Sequence, residues 1–187
     1  GLKGGFSFYR ANLSELQTVS PDPIFDRDIY KNFLPNFGVG AFLFSDDTYF
    51  GASIPKLVEN IINRDEYSTQ YISKEQIHLY LIAGKKFILT EGVQLKTHSM
   101  VKLVKNAPTS LDLTALFGFS EKFWVGGMYR LGDSYGIIAQ FNVADKMLIG
   151  YSYDLTYSVL NAFSSGTHEI MFSYNLDLFD RKPKKTK

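Results

Sequence analysis

Cysteine is absent from this chain, so it holds neither a disulfide framework nor a thiolate metal site, and redox chemistry says nothing about its compartment. Also missing is any run of about eighteen apolar residues, which excludes a helical membrane span. Tryptophan occurs once, against 16 Phe and 12 Tyr, and an aromatic load of that kind favours strand. Neither charge sign dominates: the net charge is +1, which argues against a nucleic-acid partner. No signal peptide reads at the start, because Gly1-Leu2-Lys3-Gly4-Gly5-Phe6 already has strand character; the expectation is a removed leader or a start partway through a larger protein. The 187 residues suffice for one domain.

What the chain does have is short segments of alternating hydrophobicity, clearest at Gln76-Ile77-His78-Leu79-Tyr80-Leu81, Leu111-Asp112-Leu113-Thr114-Ala115, Ile149-Gly150-Tyr151-Ser152-Tyr153-Asp154 and 170–179. Successive side chains of a strand point to opposite faces, so each segment offers one apolar face and one polar or small face. That is the pattern of a transmembrane β-barrel, with lipid outside, a polar lumen inside and about ten residues per crossing. Ten strands are expected, near 2–13, 36–45, 48–55, 76–89, 93–105, 109–119, 123–132, 134–143, 147–157 and 166–179. Tight turns fall at Ser45-Asp46-Asp47, Thr90-Glu91-Gly92, Ser120-Glu121-Lys122 and Ala144-Asp145-Lys146. The intervening connections are 14–35, 56–75, 106–108, a turn around Asp133, and 158–165. The short turns read as periplasmic and the long connections as extracellular, which places both termini on the periplasmic side. Within the long connections, Asn12 or Ser14 is placed to cap a helical turn through Glu15-Leu16-Gln17. Residues 56–64 have apolar spacing compatible with two helical turns, against the plainer reading of a surface loop packing over the barrel mouth.

The alternation also assigns faces. In the last strand Ile170, Phe172, Tyr174, Leu176 and Leu178 share one face, and Glu169, Met171, Ser173, Asn175 and Asp177 the other. Carboxylates in lipid are costly, so the second set faces the lumen. The same logic turns Tyr151, Tyr153, Leu155, Leu111, Leu113, Ala115 and Phe117 outward, and Ser152, Asp154, Asp112 and Thr114 inward. Lys96, His98, Lys102, Arg130, Gln140 and Asn142 also fall inward. With Lys96, Lys102 and Arg130 opposing Asp112, Asp154 and Glu169, the lumen reads as salt-bridged or plugged more than as a ring of one charge. For the early strands Gly38, Gly40, Phe42 and Phe44 compete with Phe37, Val39, Ala41 and Leu43 for the lipid face.

No enzyme chemistry is legible. His78, His98 and His168 lie on three strands without ligand spacing, so no metal site is expected, and no cofactor motif occurs. Ser164-Ser165-Gly166-Thr167-His168-Glu169 imitates a Ser-His-acid set, but adjacent strand residues point opposite ways and cannot orient one another. Gly126-Gly127 and Gly38-Val39-Gly40 are followed by no helix bearing a lysine, so they are not phosphate loops. The end, Arg181-Lys182-Pro183-Lys184-Lys185-Thr186-Lys187, reads as a basic solvated tail.

Several strings together resemble the PorP/SprF family. They are Asn36-Phe37-Gly38-Val39-Gly40-Ala41-Phe42-Leu43-Phe44 with Tyr49-Phe50-Gly51-Ala52-Ser53-Ile54-Pro55, and Lys105-Asn106-Ala107-Pro108-Thr109-Ser110-Leu111-Asp112-Leu113. Further along they are Phe123-Trp124-Val125-Gly126-Gly127-Met128-Tyr129-Arg130-Leu131-Gly132-Asp133, Ile149–Asp154, and Ser164-Ser165-Gly166-Thr167-His168-Glu169-Ile170-Met171. The resemblance implies a non-enzymatic outer-membrane barrel of the type IX secretion system, which exports cargo and supports gliding motility in Bacteroidota. Implied partners are outer-membrane lipid, periplasmic ring components and secreted cargo with C-terminal sorting domains. Family proteins are longer, so the ten strands read as part of a larger even-numbered barrel. Barrel is expected over 1–179, ending on the aromatic Phe179, with a basic periplasmic tail over 180–187. The alternative is a small-molecule porin or transporter. A lipocalin-like soluble carrier needs an apolar interior, the inverse of the face assignment.

Overall fold

The computed structural model describes residues 1–12, 29–63, 73–120, 122–144, 146–159, 161 and 165–176. Among them the chain forms strands β1 (Leu2–Ala11), β2 (Ile29–Phe44), β3 (Thr48–Ile54), β4 (Ile61–Asn63), β5 (Ser73–Lys74), β6 (His78–Thr90), β7 (Val93–Val104), β8 (Ser110–Phe119), β9 (Phe123–Arg130), β10 (Ser134–Ala144), β11 (Met147–Thr156) and β12 (Thr167–Tyr174), and no α-helix. Ten of them make one sheet in the order β1-β2-β3-β6-β7-β8-β9-β10-β11-β12, while β4 and β5 pair separately. The sheet is an antiparallel meander that begins at β1, ends at β12 and is not closed on itself. No helix is long and apolar enough to cross a membrane, which says nothing of strands. The expected all-β antiparallel class and all ten expected strands are therefore present.

Two compact units divide the chain, Gly1–Ala83 with Met100–Ser110, and Gly84–Ser99 with Leu111–Lys187. In the first, β2 begins at Ile29, seven residues before the expected boundary of 36, and pairs with β1 from Ala11↔Ile29 to Leu2↔Val39. Pro35 lies inside β2. Its carbonyl accepts Asn60 Nδ2 at 3.1 Å, and the Phe37 carbonyl accepts the Leu57 amide at 2.8 Å. The N–H and C=O of a strand residue share one direction, so the donor that Pro35 lacks points to the side where β3, paired only from Val39 onward, does not run.

Residues 56–60 carry no regular structure and 61–63 are strand, so the two helical turns considered for 56–64 do not form. Side-chain amides hold this segment extended. Asn36 donates from Nδ2 to the Val58 carbonyl (2.8 Å) and accepts the Val58 amide at Oδ1 (3.1 Å), replacing a backbone neighbour. β-Branched Ile61 and Ile62 then suit pairing with β5. Around the early glycines, Gly38 is buried and Gly40 half-buried, whereas Phe37, Val39 and Ala41 are exposed.

In the second unit the registers place whole rows on one face. Asp112, Arg130, Ser134 and Thr156 stand opposite one another in turn, and so do Thr114, Met128, Gly136, Asp154 and Thr167. A third row is Gly118, Trp124, Gln140, Gly150 and Met171. The opposite face carries Phe119, Phe123, Phe141, Ile149 and Phe172 in one row and Leu113, Tyr129, Tyr135 and Leu155 in another. Burial alternates with it: in β8, Leu113, Ala115 and Phe117 are exposed while Asp112 and Thr114 are half-buried and Leu116 is buried.

The turns obey their residues. Gly132 at φ 76 closes 131–133, and its amide donates to Tyr157 Oη at 2.7 Å. The expected helical turn at 14–17, most of 14–35, Phe179 and the basic tail lie outside the described residues.

Candidate functional site

The less exposed face of the second unit holds most of the polar side chains singled out from sequence. Arg130 forks onto Asp112, Nε to Oδ1 at 2.8 Å and NH2 to Oδ2 at 3.1 Å, the two-pronged geometry that guanidinium and carboxylate favour. Arg130 NH1 also reaches Asp133 Oδ2 at 3.5 Å. Asp133 in turn takes the Ser158 hydroxyl at 3.2 Å, and its carbonyl accepts the Tyr157 amide at 2.9 Å. The end of β9 is thereby tied to the chain leaving β11. Asp154 lies opposite Gly136 and Thr167, and Glu169 opposite Ser152, without an ion pair of their own among the described contacts. Ser134 is buried, and its Oγ and Asp154 Oδ1 are enclosed without a hydrogen-bond partner among the described residues.

Lys96 lies against an aromatic ring. Its Nζ sits 3.5 Å from the ring centroid of Trp124, a cation–π contact. Trp124 is only 3% exposed, and a Cβ at Gly118 would stand 2.4 Å from its ring, so the indole lies flat on the backbone of β8. Gln140 and Asn142 are half-buried on β10, Gln140 directly opposite Trp124. His98 and Lys102 are half-buried on β7, and Asn175 follows β12, its amide bonded to the Lys146 carbonyl at 2.9 Å. Asp177 lies outside the described residues. Of the expected lumen residues the structure joins Asp112 with Arg130 and sets Lys96 on Trp124. Trp124 and Asp133 were not singled out for these roles; the even spacing of Trp124 with Arg130 along β9 was the available signal.

His168 takes the opposite face. Its ring stacks on Tyr153 at 4.4 Å between centroids, and Nδ1 lies 2.7 Å from Tyr151 Oη. Its contacts among the described residues are these tyrosines, and among the same residues no three His, Asp or Glu converge to hold a metal. The same face ends in stacked tyrosines: Tyr157 donates to Tyr129 Oη at 2.9 Å, with ring centroids 6.1 Å apart and Tyr135 beside them. Phenylalanine rows at one end and tyrosines at the other make an apolar band with an aromatic border.

A third cluster, in the first unit, pins the segment after β3. Glu75 binds Lys56 and takes Asn60 Nδ2 at 2.9 Å and Asn36 Nδ2 at 3.2 Å, while Lys74 binds Glu59 at 2.9 Å. The Lys56 ammonium first, then the Asn60 amide, hold the Glu75 carboxyl below its ordinary value, and Lys74 does the same for Glu59. Sequence reading missed this hub because its members are far apart along the chain.

An all-β sheet with one apolar, aromatic-bordered face and one face of paired polar groups is the construction of a strand-built membrane protein. A family model described as type IX secretion system membrane protein PorP/SprF matches residues 1–174, and the chain belongs to that family. It is thus a membrane component of type IX secretion, a role in secretion machinery and not a known enzyme family. No curated protein and no solved structure matches the chain.

Proposed function

We propose that the chain is part of an outer-membrane β-barrel that serves type IX secretion and gliding motility without catalysis, by docking machinery or cargo. The carrying observation is the division of the two faces. On this reading the row from Asp112 to Thr156 and the row through Trp124 line the lumen, together with His98, Lys102, Asn142, Asp154, Glu169, Asn175 and Asp177. The Phe and Tyr rows meet lipid. The ion pair Arg130–Asp112 and the indole between Gly118 and Lys96 fill that lumen wall, which favours a docking component over a small-molecule porin.

Long connections on a rigid sheet carry function in many proteins. Residues 56–75 form such a connection and have their own ribbon β4–β5. Replacing 56–75 by a short Gly-Ser linker is expected to leave membrane insertion intact and to impair secretion or surface retention of cargo with C-terminal sorting domains. Normal secretion with barrel present at wild-type level would refute cargo docking at this loop. Truncation after Asp180 tests attachment to periplasmic ring components through the basic tail. Single-channel recording on the intact chain is expected to show no open pore, and steady conductance would favour the porin instead.

A further inference from the structure

The chain leaving β11 is held at its first two residues by the turn 131–133 that joins β9 to β10. Tyr157 lies on the exposed face, its ring stacked on Tyr129 at 6.1 Å between centroids and its hydroxyl accepting the Gly132 amide at 2.7 Å. Ser158 holds the same turn through Asp133, its hydroxyl donating to Oδ1 at 3.2 Å. The Asp133 carbonyl accepts both amides, Tyr157 at 2.9 Å and Ser158 at 3.2 Å. In the sheet β10 lies between β9 and β11, so these two residues form a strap across the start of β10.

The side chain at the centre of the strap is oriented from further off. Asp133 has 39% of its side chain exposed, and a carboxylate that open has more than one rotamer within reach. Its second oxygen, Oδ2, meets Arg130 NH1 at 3.5 Å, which leaves Oδ1 for Ser158. The direction of NH1 is itself fixed. A guanidinium is planar with its donors in a rigid fork, and Nε and NH2 are seated on Asp112, directly opposite on β8. A carboxylate on β8 thus sets the aim of the side chain that receives the end of β11, three strands along the sheet.

We infer that Arg130 is a positioning residue for the connection after β11: seated on Asp112, it aims Asp133 at Ser158 and so closes the strap. The competing account is a strap that holds itself through Tyr157 and the Asp133 carbonyl, with the charges adding only general stability. Hydrogen exchange of the full chain in detergent micelles separates the two. The Tyr157 and Ser158 amides are read against the Asn142 amide, which bonds to the Lys122 carbonyl at the other end of β10. Arg130→Met should lower protection at 157–158 about tenfold more than at Asn142, the size expected of one hydrogen bond to a charged group. Adding Asp112→Leu should leave the strap loose even where stability recovers, because NH1 is still missing. In a Ser158→Ala background, Arg130→Met should lower protection at 157–158 no further relative to Asn142. Equal losses at the two ends of β10, a strap that tightens along with stability in the Asp112→Leu double variant, or losses that add to those of Ser158→Ala would each overturn the inference. If Arg130→Met does not fold, Arg130→Lys makes the same comparison, since its ammonium can hold Asp112 but lacks the planar fork that spans both carboxylates. A strap as well protected in Arg130→Lys as in wild type overturns the inference too.

Discussion

Leu113 and Thr114 are adjacent in β8, yet one is exposed among tyrosines and the other half-buried between polar neighbours. If the exposed face meets lipid, Leu113→Arg or Phe172→Arg destabilises by about 2–4 kcal/mol near the membrane midplane, whereas Thr114→Arg costs much less. Reversible unfolding into vesicles measures the difference, and equal costs at the two kinds of site would show the face assignment to be wrong. At Arg130 the outcome turns on the partner left behind. Asp112 has a side chain only 13% exposed, so Arg130→Met takes the two-pronged donor from a poorly hydrated carboxylate and is expected to cost about 1–3 kcal/mol. Because the guanidinium itself is partly exposed, the figure is kept well below that of a buried pair. Adding Asp112→Leu to the same chain should recover part of the loss; a double variant no better than the single one would mean the pair contributes through packing alone. These pairings were only partly legible in sequence. Alternation assigned Asp112 and Arg130 to one face, but that Arg130 stands directly opposite Asp112 depends on register, and register is set by turn geometry as well as by pattern.

Among elements, the segment from Lys56 to Glu75 shows where sequence pattern ends and tertiary contact takes over. Its apolar spacing allowed a helix, and the Asn36, Asn60 and Glu75 side chains hold an extended path instead. Likewise β2 runs back to Ile29 because β1 is there to pair with it, a fact no window of residues around Pro35 contains. Where turns and alternation are local, as in Thr90-Glu91-Gly92, expected and observed boundaries agree to within a residue or two. The Glu75 hub also gives a pH dependence. Its carboxyl titrates lower in the folded chain than when unfolded, so its contribution is complete above the unfolded value and disappears as pH falls through the lowered folded value. The protection of amides in 56–61, taken relative to the intrinsic exchange rate at each pH, should therefore hold at neutral pH and fall below the usual carboxylate range. Glu75→Gln should lower that protection already at neutral pH and lose its pH dependence; an unchanged protection profile would remove Glu75 as the anchor.

For the whole molecule the decisive property is that polarity is sorted by strand parity and not by segment. A hydropathy scan averages the two faces of each strand, which is why the mean hydropathy of −0.09 conceals an apolar surface as extensive as the rows from Phe119 to Phe172. The antiparallel meander was legible from that parity, while membership of β4 and β5 in a separate ribbon was not, since two and three residues give no period to read. The protein is expected to fractionate with the outer membrane and to keep its β-structure in detergent until boiled. Recovery as a monodisperse protein without detergent would contradict the membrane reading.

The chain's single tryptophan is seated where three strands meet: β9 supplies the indole, β8 the bare backbone of Gly118 beneath it, and β7 the Lys96 ammonium above. The molecule thus carries one built-in optical probe, and its emission has a single origin. Since neither neighbouring strand alone encloses the ring, a shift of that emission to shorter wavelength marks the moment when β7, β8 and β9 are all side by side. Assembly of the wall can be timed without adding a label.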